Sequence, residues 1–501
     1  MKATRGWVVV AAGALLFGVA SAAENFTRYA ALRSTFAADL GSFHNQAFNQ
    51  AQGRDISYLF MASWFKPGDF DGPSVYRSCH FSPLRTLVIP WIYRLHPRIE
   101  TLMLLQGLAI GIGALGLYGL ALERARSPGL GLLLAVSYLL HPAVLNLAAN
   151  DFREIALGLG PALIALWLHA TGRTAAFVAA ALVALSARSE YALLVAAVPL
   201  LARRLVPAPS RVPVWLPPAL AASWGVLAHG YYQHFYGVTW PVLGYAGQRP
   251  LVEVGAELVR RMPALFALMQ APAMVGLLTP EAWALALPFA ALAKRVHATE
   301  FPPHHLQHLA PALAAVFWAF AVTLVRHWDG PWLAARRGRA VAALCGATLV
   351  SFAVFAHAAA SAYPRDLGRF DRLGEAIDGL PADATVVAHG SLAARLSRHT
   401  RVIDYTRLPF GAPPSAEEAA TTLPVLVACA DLVAIMEDPA LESLVRESGI
   451  FEAPRTFRRY RLFLRREDAP RVADADARLQ RALLWDRLSS EQRRGATLAR
   501  W

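Results

Sequence analysis

Residues 99–122 read IETLMLLQGLAIGIGALGLYGLAL, and this stretch decides the fold class of the chain. A helix needs about 20 apolar residues to cross a hydrocarbon core roughly 30 Å thick, and this stretch exceeds that length. Apolar runs of similar size recur from Trp7 to about Ala359. Of the 501 residues, 56% are hydrophobic and only 17% are charged, whereas a typical soluble domain is about 25% charged. The sequence therefore predicts a mainly helical membrane protein that crosses the bilayer repeatedly.

The composition changes after Tyr363, where long apolar runs give way to short alternating segments. Helices are predicted at residues 367–377, 391–396 and 439–447, and strands at residues 384–388, 401–405, 431–436 and 460–464. These elements predict a small α/β unit with a mixed sheet. We therefore expect a polytopic membrane domain over residues 1–360, an α/β domain over residues 361–465 and a charged tail over residues 466–501.

The net charge of +13 invites a comparison with nucleic-acid-binding proteins. Nearly all of the basic residues are arginines, and many of them lie in short loops between apolar runs, where positive charge orients membrane proteins. No strip of basic residues interleaved with aromatic residues follows a soluble face, so we exclude nucleic acid as a partner. Cys79, Cys345 and Cys429 lack metal-ligand spacing. We expect Cys345, which lies in an apolar helix, to belong to the core.

Basic loops predict which ends of the helices face the inner side of the membrane. They lie at residues 124–126, 203–204 and 326–339. Counting crossings from these loops predicts about eleven transmembrane helices, one of them over residues 130–149, and an outer C-terminal domain. The predicted outer loops cover residues 24–98, 231–262 and 294–308. Residues 81–95 are too short and too broken to cross, so we interpret them as re-entrant or interfacial.

The first apolar segment, residues 1–23, carries Lys2 and Arg5 and ends in small residues, so it also fits a cleaved signal peptide. We expect an uncleaved first helix, because many crossings follow and its N-terminal charge already suits an inner start. In either case the segment that follows is exported.

Ionisable residues collect in the predicted outer loops and at the outer ends of the helices. They are Asp39, His44, His80, Asp151, Arg153, Glu154, Glu190, His304, His305 and His308. Outer loops meet water, so a single polar residue there needs no special role. Asp151 and Glu190 are closely flanked by apolar helix, where ionisable groups are costly and usually functional. For His141, which precedes Pro142 inside an apolar run, we expect a buried and hydrogen-bonded imidazole.

A series of short motifs occurs in a fixed order along the chain. The series consists of Asp39-Leu40-Gly41-x-Phe43 with Asn49 and Gly53, His80-Phe81-Ser82-Pro83, Leu104-Leu105-Gln106, Tyr138-Leu139-Leu140-x-Pro142, Asn150-Asp151-Phe152, Ser189-Glu190 and residues 304–311. In this order they resemble a family of polytopic bacterial membrane proteins defined as a domain of unknown function. The resemblance extends to the end of the last predicted membrane helix.

That family is similar in plan to the GT-C glycosyltransferases. These multi-helix enzymes take a sugar from a polyprenyl phosphate carrier and use an acidic residue in the first outer loop. The chain departs from the family pattern at Ser42, His44 and Asn45, where Ile, Asp and Gln are expected, while Asp39 is retained. Arg153 stands where His is expected, which puts a metal-ligand role of that loop in doubt.

The resemblance implies roles for particular residues. Asp39 would be the general base, with His80 as its relay or hydrogen-bond partner. Asp151 and Glu190 would orient the acceptor or hold a divalent cation, the candidate cofactor. The candidates for the lipid phosphate and the rest of the substrate are His44, Arg153, Lys294, Arg295, His304, His305 and His308. The implied location is the bacterial inner membrane with a periplasmic C-terminal domain, and the implied partners are the bilayer and a polyprenyl-phosphate-linked sugar.

Two other classes of protein remain open. A transporter or flippase of a lipid-linked or envelope substrate would have broken helices that meet at mid-membrane, and a hinge at Thr279-Pro280 suits that class. A non-catalytic envelope assembly protein would make Asp39 dispensable. The gathering of acidic and histidine residues at the outer surface favours catalysis there, although the sequence specifies neither sugar, carrier length nor acceptor.

Overall fold

The computed structural model describes residues 2–30, 37–53, 81–205, 211–236, 310–361, 377, 380–381, 384–389, 392–398, 401–405, 416–457 and 460–472. Most of these residues form a bundle of apolar helices, and the remainder form a small sheet with helices near the C-terminus. The hinge predicted at Thr279-Pro280, the outer loop predicted over residues 294–308 and residues 237–262 of the other outer loop lie outside the described residues.

The bundle begins with two helices and a short irregular segment. They are α1 (Lys2–Ala30), α2 (Ala37–Ala51), a π-helical turn (Leu84–Val88) and α3 (Ile89–Leu95). The central helices are α4 (Ile99–Gly111), α5 (Gly113–Arg124), α6 (Pro128–Leu139), α7 (Pro142–Ala149), α8 (Glu154–Leu157), α9 (Leu159–Ala170), α10 (Thr174–Ala187), α11 (Tyr191–Leu205) and α12 (Leu216–Tyr236). Two long helices follow, α13 (Ala310–His327) and α14 (Pro331–Ser361).

Four helices in the described part of the chain are long and apolar enough to cross a membrane. They are Thr4–Ala30, Ile99–Arg124, Ala310–His327 and Pro331–Val354. A fifth crossing results if α6 and α7, whose axes differ by 51°, count as one. The stretch predicted as a crossing over residues 130–149 is therefore bent, with its break at Leu140 and His141. Pro142 at the start of α7 has no N–H to continue the ladder of α6, and the His141 Nδ1 accepts instead from the Ala143 N–H at 3.2 Å.

Helices α1 and α4 approach each other closely along small residues. A Cβ added to Gly107 would lie 2.5 Å from the carbonyl oxygen of Gly18, and one added to Gly111 would lie 2.6 Å from that of Ala14. Small residues spaced four apart let membrane helices pack without a hydrophobic driving force. Helix α1 runs unbroken through the small residues at the candidate cleavage site, and it packs against α4 and α5 of the bundle.

Large apolar side chains on several helices point out of the bundle. Examples are Leu16, Leu182, Val226 and Val350. Apolar surface of this extent is suited to contact with lipid. Cys345 on α14 is also exposed, so the expectation that it belongs to the core was wrong: α14 packs only one narrow side against the bundle.

The basic segment predicted as a loop over residues 326–339 is mostly helical. Helix α13 ends at His327 and α14 begins at Pro331, so the loop itself covers only residues 328–330. Arg337, inside α14, donates to the Trp328 carbonyl oxygen and to Asp329 Oδ1 at 2.8 and 2.9 Å. The arginines of this segment therefore lie on the two helices rather than in the loop between them.

The C-terminal unit contains a five-stranded mixed sheet. Its elements are β1 (Thr385–Ala388), α15 (Ala393–Leu396), β2 (Arg401–Asp404), α16 (Ala416–Cys429), β3 (Leu432–Met436), α17 (Pro439–Glu447), β4 (Arg455–Phe457) and β5 (Tyr460–Leu464). The strand order is β2-β1-β3-β5-β4, with β2, β1 and β3 parallel and the other pairs antiparallel. The sequence predicted four strands; it missed β4, which has three residues, and α16, which contains Pro424.

The short helix α15 of the C-terminal unit packs against α2 of the bundle. The Asn45 side-chain amide donates to the Ser397 carbonyl oxygen at 2.9 Å. Nearby, the guanidinium of Arg395 lies 4.4 Å above the ring of Tyr29 at the end of α1. Helix α2 is therefore held between the bundle on one side and the C-terminal unit on the other.

Candidate functional site

Helix α2 carries the first sequence motif. Asp39 lies in its first turn, and Leu40, Phe43 and Ala47 bury one face of the helix in a cluster that includes Tyr93 of α3. Apolar residues spaced three and four apart explain why this stretch folds as an amphipathic helix against the bundle. Residues 37–51 of the predicted outer loop thus form a helix that packs against the bundle, with position 39 in its first turn.

His44 on α2 links three parts of the protein. Its Nδ1 is hydrogen-bonded to Ser397 Oγ at 2.6 Å and its Nε2 to the Tyr93 hydroxyl at 2.5 Å. Burial, with a smaller contribution from the charge of Arg398, lowers the pKa of His44 from 6.5 to about 3. The imidazole is therefore neutral at physiological pH and has both nitrogens in use, which suits bracing of α2 better than contact with a phosphate.

Two buried amides fix the turn that contains Asp151. Gln106 of α4 donates to the Asn150 carbonyl oxygen at 2.8 Å, and its Oε1 accepts from the Arg153 N–H at 2.6 Å. Asn25 of α1 donates to the Ala148 carbonyl oxygen at 2.8 Å. This arrangement satisfies the carbonyl groups at the end of α7, which have no partner within the helix. Asp151 is consequently held, almost wholly buried, at the mouth of α7.

A buried ion-pair network joins this turn to the turn before α11. Arg188 Nη1 donates to Glu154 Oε1 at 2.8 Å, and Arg188 Nε donates to Glu190 Oε2 at 3.0 Å. Arg85 Nη1 lies 3.5 Å from the same Glu154 oxygen. Buried charges are tolerated when they are paired and hydrogen-bonded. Glu190 is therefore connected through Arg188 to Glu154, next to Asp151.

Arg85, in the π-helical turn, faces the motif helix. Its guanidinium lies 4.9 Å from the centroid of the Phe43 ring, and that of Arg153 lies 5.8 Å from the same ring. Phe43 also meets Phe152 edge-on, with centroids 5.8 Å apart. A cation over an aromatic face is stabilised by the ring quadrupole. Phe43 thus brings α2, the π-helical turn and the Asp151 turn into one cluster.

Arg85 was missing from the residues predicted from sequence. Two signals pointed to it: it follows the His80-Phe81-Ser82-Pro83 motif, and it is a charged residue in the short apolar stretch at residues 81–95. The π-helical geometry, which often marks functional sites, has no comparable sequence signal.

Amide side chains line a second face of α2. Asn45, Gln46, Asn49 and Gln50 are all buried. Gln46 Nε2 and Asn49 Oδ1 have no hydrogen-bond partner among the described residues. Gln46 follows Asp39 by two helical turns, so both positions lie on the same side of the helix. Helix α2 therefore combines an acidic position with buried amide groups.

The structure brings together His44, Asp151, Arg153 and Glu190 from the predicted site, at the bundle end where α7 and α10 finish. The other predicted groups lie outside the described residues: the side chain of Asp39 and the whole of His80, Lys294, Arg295, His304, His305 and His308. Within the described ranges, no group of three or more His, Cys, Asp or Glu residues could hold a metal ion.

Helices of membrane-crossing length, an outward apolar surface and a buried polar cluster at one end define an integral membrane protein. The cluster and its supporting contacts contain residues of four of the sequence motifs, namely Phe43, Gln106, Asp151 and Glu190. The chain belongs to the family described as "Predicted membrane protein (DUF2079)", whose model matches residues 28–409. This match confirms the family resemblance of the motifs. None of the curated proteins matches the chain.

Proposed function

We propose that this protein is an integral membrane glycosyltransferase that moves a sugar from a polyprenyl-phosphate carrier to an extracytoplasmic acceptor. The observation that supports the proposal is the position of α2, whose first turn contains Asp39 and whose Phe43 lies against Arg85 and Arg153. Glycosyl transfer needs a base for the acceptor hydroxyl and cations near the departing phosphate. Asp39 is on α2, and the two arginines lie beside Phe43 of the same helix.

The proposed roles follow from this arrangement. Asp39 accepts the proton of the acceptor hydroxyl, and an inverting transfer with an activated phosphate leaving group needs no second acid. Asp151 and Glu190 orient the acceptor or bind a divalent cation. Arg153 neutralises the carrier phosphate, assisted by Lys294, Arg295 and the histidines His304, His305 and His308. His80 relays the proton from Asp39.

The proposed topology places the polar cluster on the outer face of the bacterial inner membrane. The opposite end of the bundle has the arginines typical of a cytoplasmic side. Arg173 pairs there with Glu123 at 2.8 Å. Arg124 lies nearby in sequence, and Arg211 lies nearby in space. An excess of arginine marks the cytoplasmic side. We accordingly propose about eleven crossings over residues 1–360, a periplasmic α/β domain over residues 361–465 and a terminal tail over residues 466–501.

A transporter or flippase is the second candidate, and the break between α6 and α7 favours it. The bend of 51° occurs at Leu140 and His141, inside the bundle. Broken helices often line substrate pathways in transporters. The buried His141, however, caps α7 and packs its ring 5.1 Å from that of Phe317, so the break is filled by protein. That packing favours the transferase over the transporter.

The test uses the lipid that co-purifies with the protein, identified by mass spectrometry and supplied again as donor to the full chain in lipid nanodiscs. Release of sugar from the carrier is measured for the native protein and for Asp39→Asn, which retains size but cannot accept a proton. We expect a loss of about 10²–10⁴ in rate. Glu24→Gln is the control, since its carboxylate lies at the end of α1 and pairs only locally with Arg28 at 2.8 Å.

Equal rates for the native protein and Asp39→Asn would contradict the catalytic role of Asp39. Movement of the labelled lipid between leaflets without release of its sugar would establish the transporter instead. Lipid binding with neither activity would leave the non-catalytic assembly role.

A further inference from the structure

We infer that Arg85 and Gln46 form an oxyanion site that binds the phosphate of the lipid carrier, an assignment that rests on the proposed function. Neither residue belongs to the set that the sequence motifs assign to substrate. The group that the site recognises is a phosphate, which either a lipid head group or free inorganic phosphate could supply.

The first support is the state of the Arg85 guanidinium. The side chain is 3% exposed, and Nε, Nη1 and Nη2 have no hydrogen-bond acceptor in the part of the chain that the structure describes. A buried guanidinium carries five donors that normally all find partners. The carboxylate of Glu154 lies 3.5 Å from Nη1, which is close enough to orient the charge but too far for a normal hydrogen bond.

The second support is independent and comes from α2. The Nε2 of Gln46 is a buried donor without an acceptor among the described residues. Gln46 lies one helical turn after Phe43, and residues three apart are neighbours on a helix surface. Because the Arg85 guanidinium lies over the Phe43 ring at 4.9 Å, the two unpaired donors belong to the same region.

Comparison with Arg188 shows why Arg85 is available for a ligand. Arg188 is also buried, but its donors are taken by Glu154 and Glu190. An unmet buried donor is costly, so a native site that retains several of them gains when a ligand supplies acceptors. A phosphate presents several oxygens in the fork geometry that a guanidinium matches. Arg85 therefore has the unused donors that an oxyanion requires.

The experiment uses thermophoresis to measure ligand binding to the full chain in nanodiscs. It does not depend on sugar transfer. The probes are a polyprenyl phosphate, the corresponding polyprenol and inorganic phosphate. We expect the polyprenyl phosphate to bind more tightly than the polyprenol. Arg85→Gln should weaken binding of the phosphate ester about 10- to 100-fold and Gln46→Leu about 3- to 10-fold. Arg94→Gln is the matched control, because Arg94 is an exposed arginine on the neighbouring α3.

Two results would overturn the inference: equal binding of polyprenyl phosphate and polyprenol, or unchanged binding of the phosphate ester by Arg85→Gln. Binding of inorganic phosphate with the same dependence on Arg85 supports the site and identifies free phosphate as sufficient. If Arg85→Gln fails to fold, Arg85→Lys is used instead. This variant retains the positive charge but lacks the forked guanidinium, and its binding of polyprenyl phosphate is compared with that of the native protein. If binding depends on Arg85 but the separate assay of sugar release detects no transfer, this inference stands and the proposed function is contradicted.

Discussion

His44 Nδ1 and Ser397 Oγ share a hydrogen bond of 2.6 Å, although 353 residues separate them in the chain. The bond connects the motif helix α2 to the C-terminal unit at a buried position. Two further contacts accompany it, from Asn45 to the Ser397 carbonyl oxygen and from Arg395 to the carbonyl oxygen of Ala30. The C-terminal unit therefore helps to fix the helix that contains Asp39.

Removal of the Ser397 hydroxyl should destabilise this connection. Ser397→Ala leaves a buried imidazole nitrogen without a partner, which costs about 1–3 kcal/mol of unfolding free energy. The measurement is the thermal unfolding midpoint of the purified protein. Ser443→Ala is the control: its hydroxyl bonds to Glu447 on an exposed helix face, and we expect a change below about 0.5 kcal/mol. Equal shifts for both variants would show that the bond to His44 contributes nothing.

The same histidine predicts a dependence of stability on pH. The pKa of His44 is about 3 in the folded protein and about 6.5 when unfolded. Below pH 6.5 only the unfolded state takes up this proton, so stability is lost as the pH falls from 6.5 towards 3. The loss amounts to about 2 kcal/mol at pH 5 relative to pH 7.5. His44→Gln should flatten this part of the profile; an unchanged slope would contradict the assignment.

The buried carboxylate of Glu154 should matter far more than a surface carboxylate in a similar ion pair. Glu154→Gln leaves Arg85 and Arg188 without their shared countercharge, which costs about 3–5 kcal/mol. Glu123→Gln removes an equally short pair with Arg173 at the surface, and there we expect about 0–1 kcal/mol. Each variant is extracted in detergent, and size-exclusion chromatography measures the fraction that remains folded. This fraction should fall much more for Glu154→Gln than for Glu123→Gln. A larger loss for Glu123→Gln would contradict the network described around Glu154.

The topology predicts where reporters function. In the proposed topology Asp371 follows an outward crossing and Arg126 lies on the inner side, so an alkaline phosphatase should be active when fused after Asp371 and inactive when fused after Arg126. Green fluorescent protein at the same two positions should give the reverse pattern. Fluorescence after Asp371 would place the C-terminal unit in the cytoplasm and invert the proposed outer site.

Features with a local cause were predictable from the sequence. The length of the apolar runs predicted the crossings formed by α4 with α5 and by α13. Asp151 and Glu190 were predicted at ends of apolar helices on one side, and the structure places both at the same end of the bundle. In the C-terminal unit, helix Pro439–Glu447 and strand Tyr460–Leu464 have the predicted bounds.

Features that depend on long-range contacts were not predictable in this way. The sequence around Ser397 and the sequence around His44 do not indicate that these residues pair, because hydrogen-bonding serines and histidines occur in most loops and helices. The role of Arg85 depends on which side the π-helical turn presents to Phe43. Cys345 has the same apolar neighbours whether its helix is enclosed or faces lipid, so composition alone could not decide its exposure.

The strand order limits how the chain can be shortened. The family match ends at residue 409, after β2 but before β3, and β1 lies between these two strands in the sheet. A protein truncated at that residue would retain α15 and Ser397 but expose one whole edge of β1. Open strand edges promote aggregation. Expression of this protein should therefore extend at least through Leu464, and insoluble shorter fragments would reflect a divided sheet rather than a failure of the membrane helices to insert.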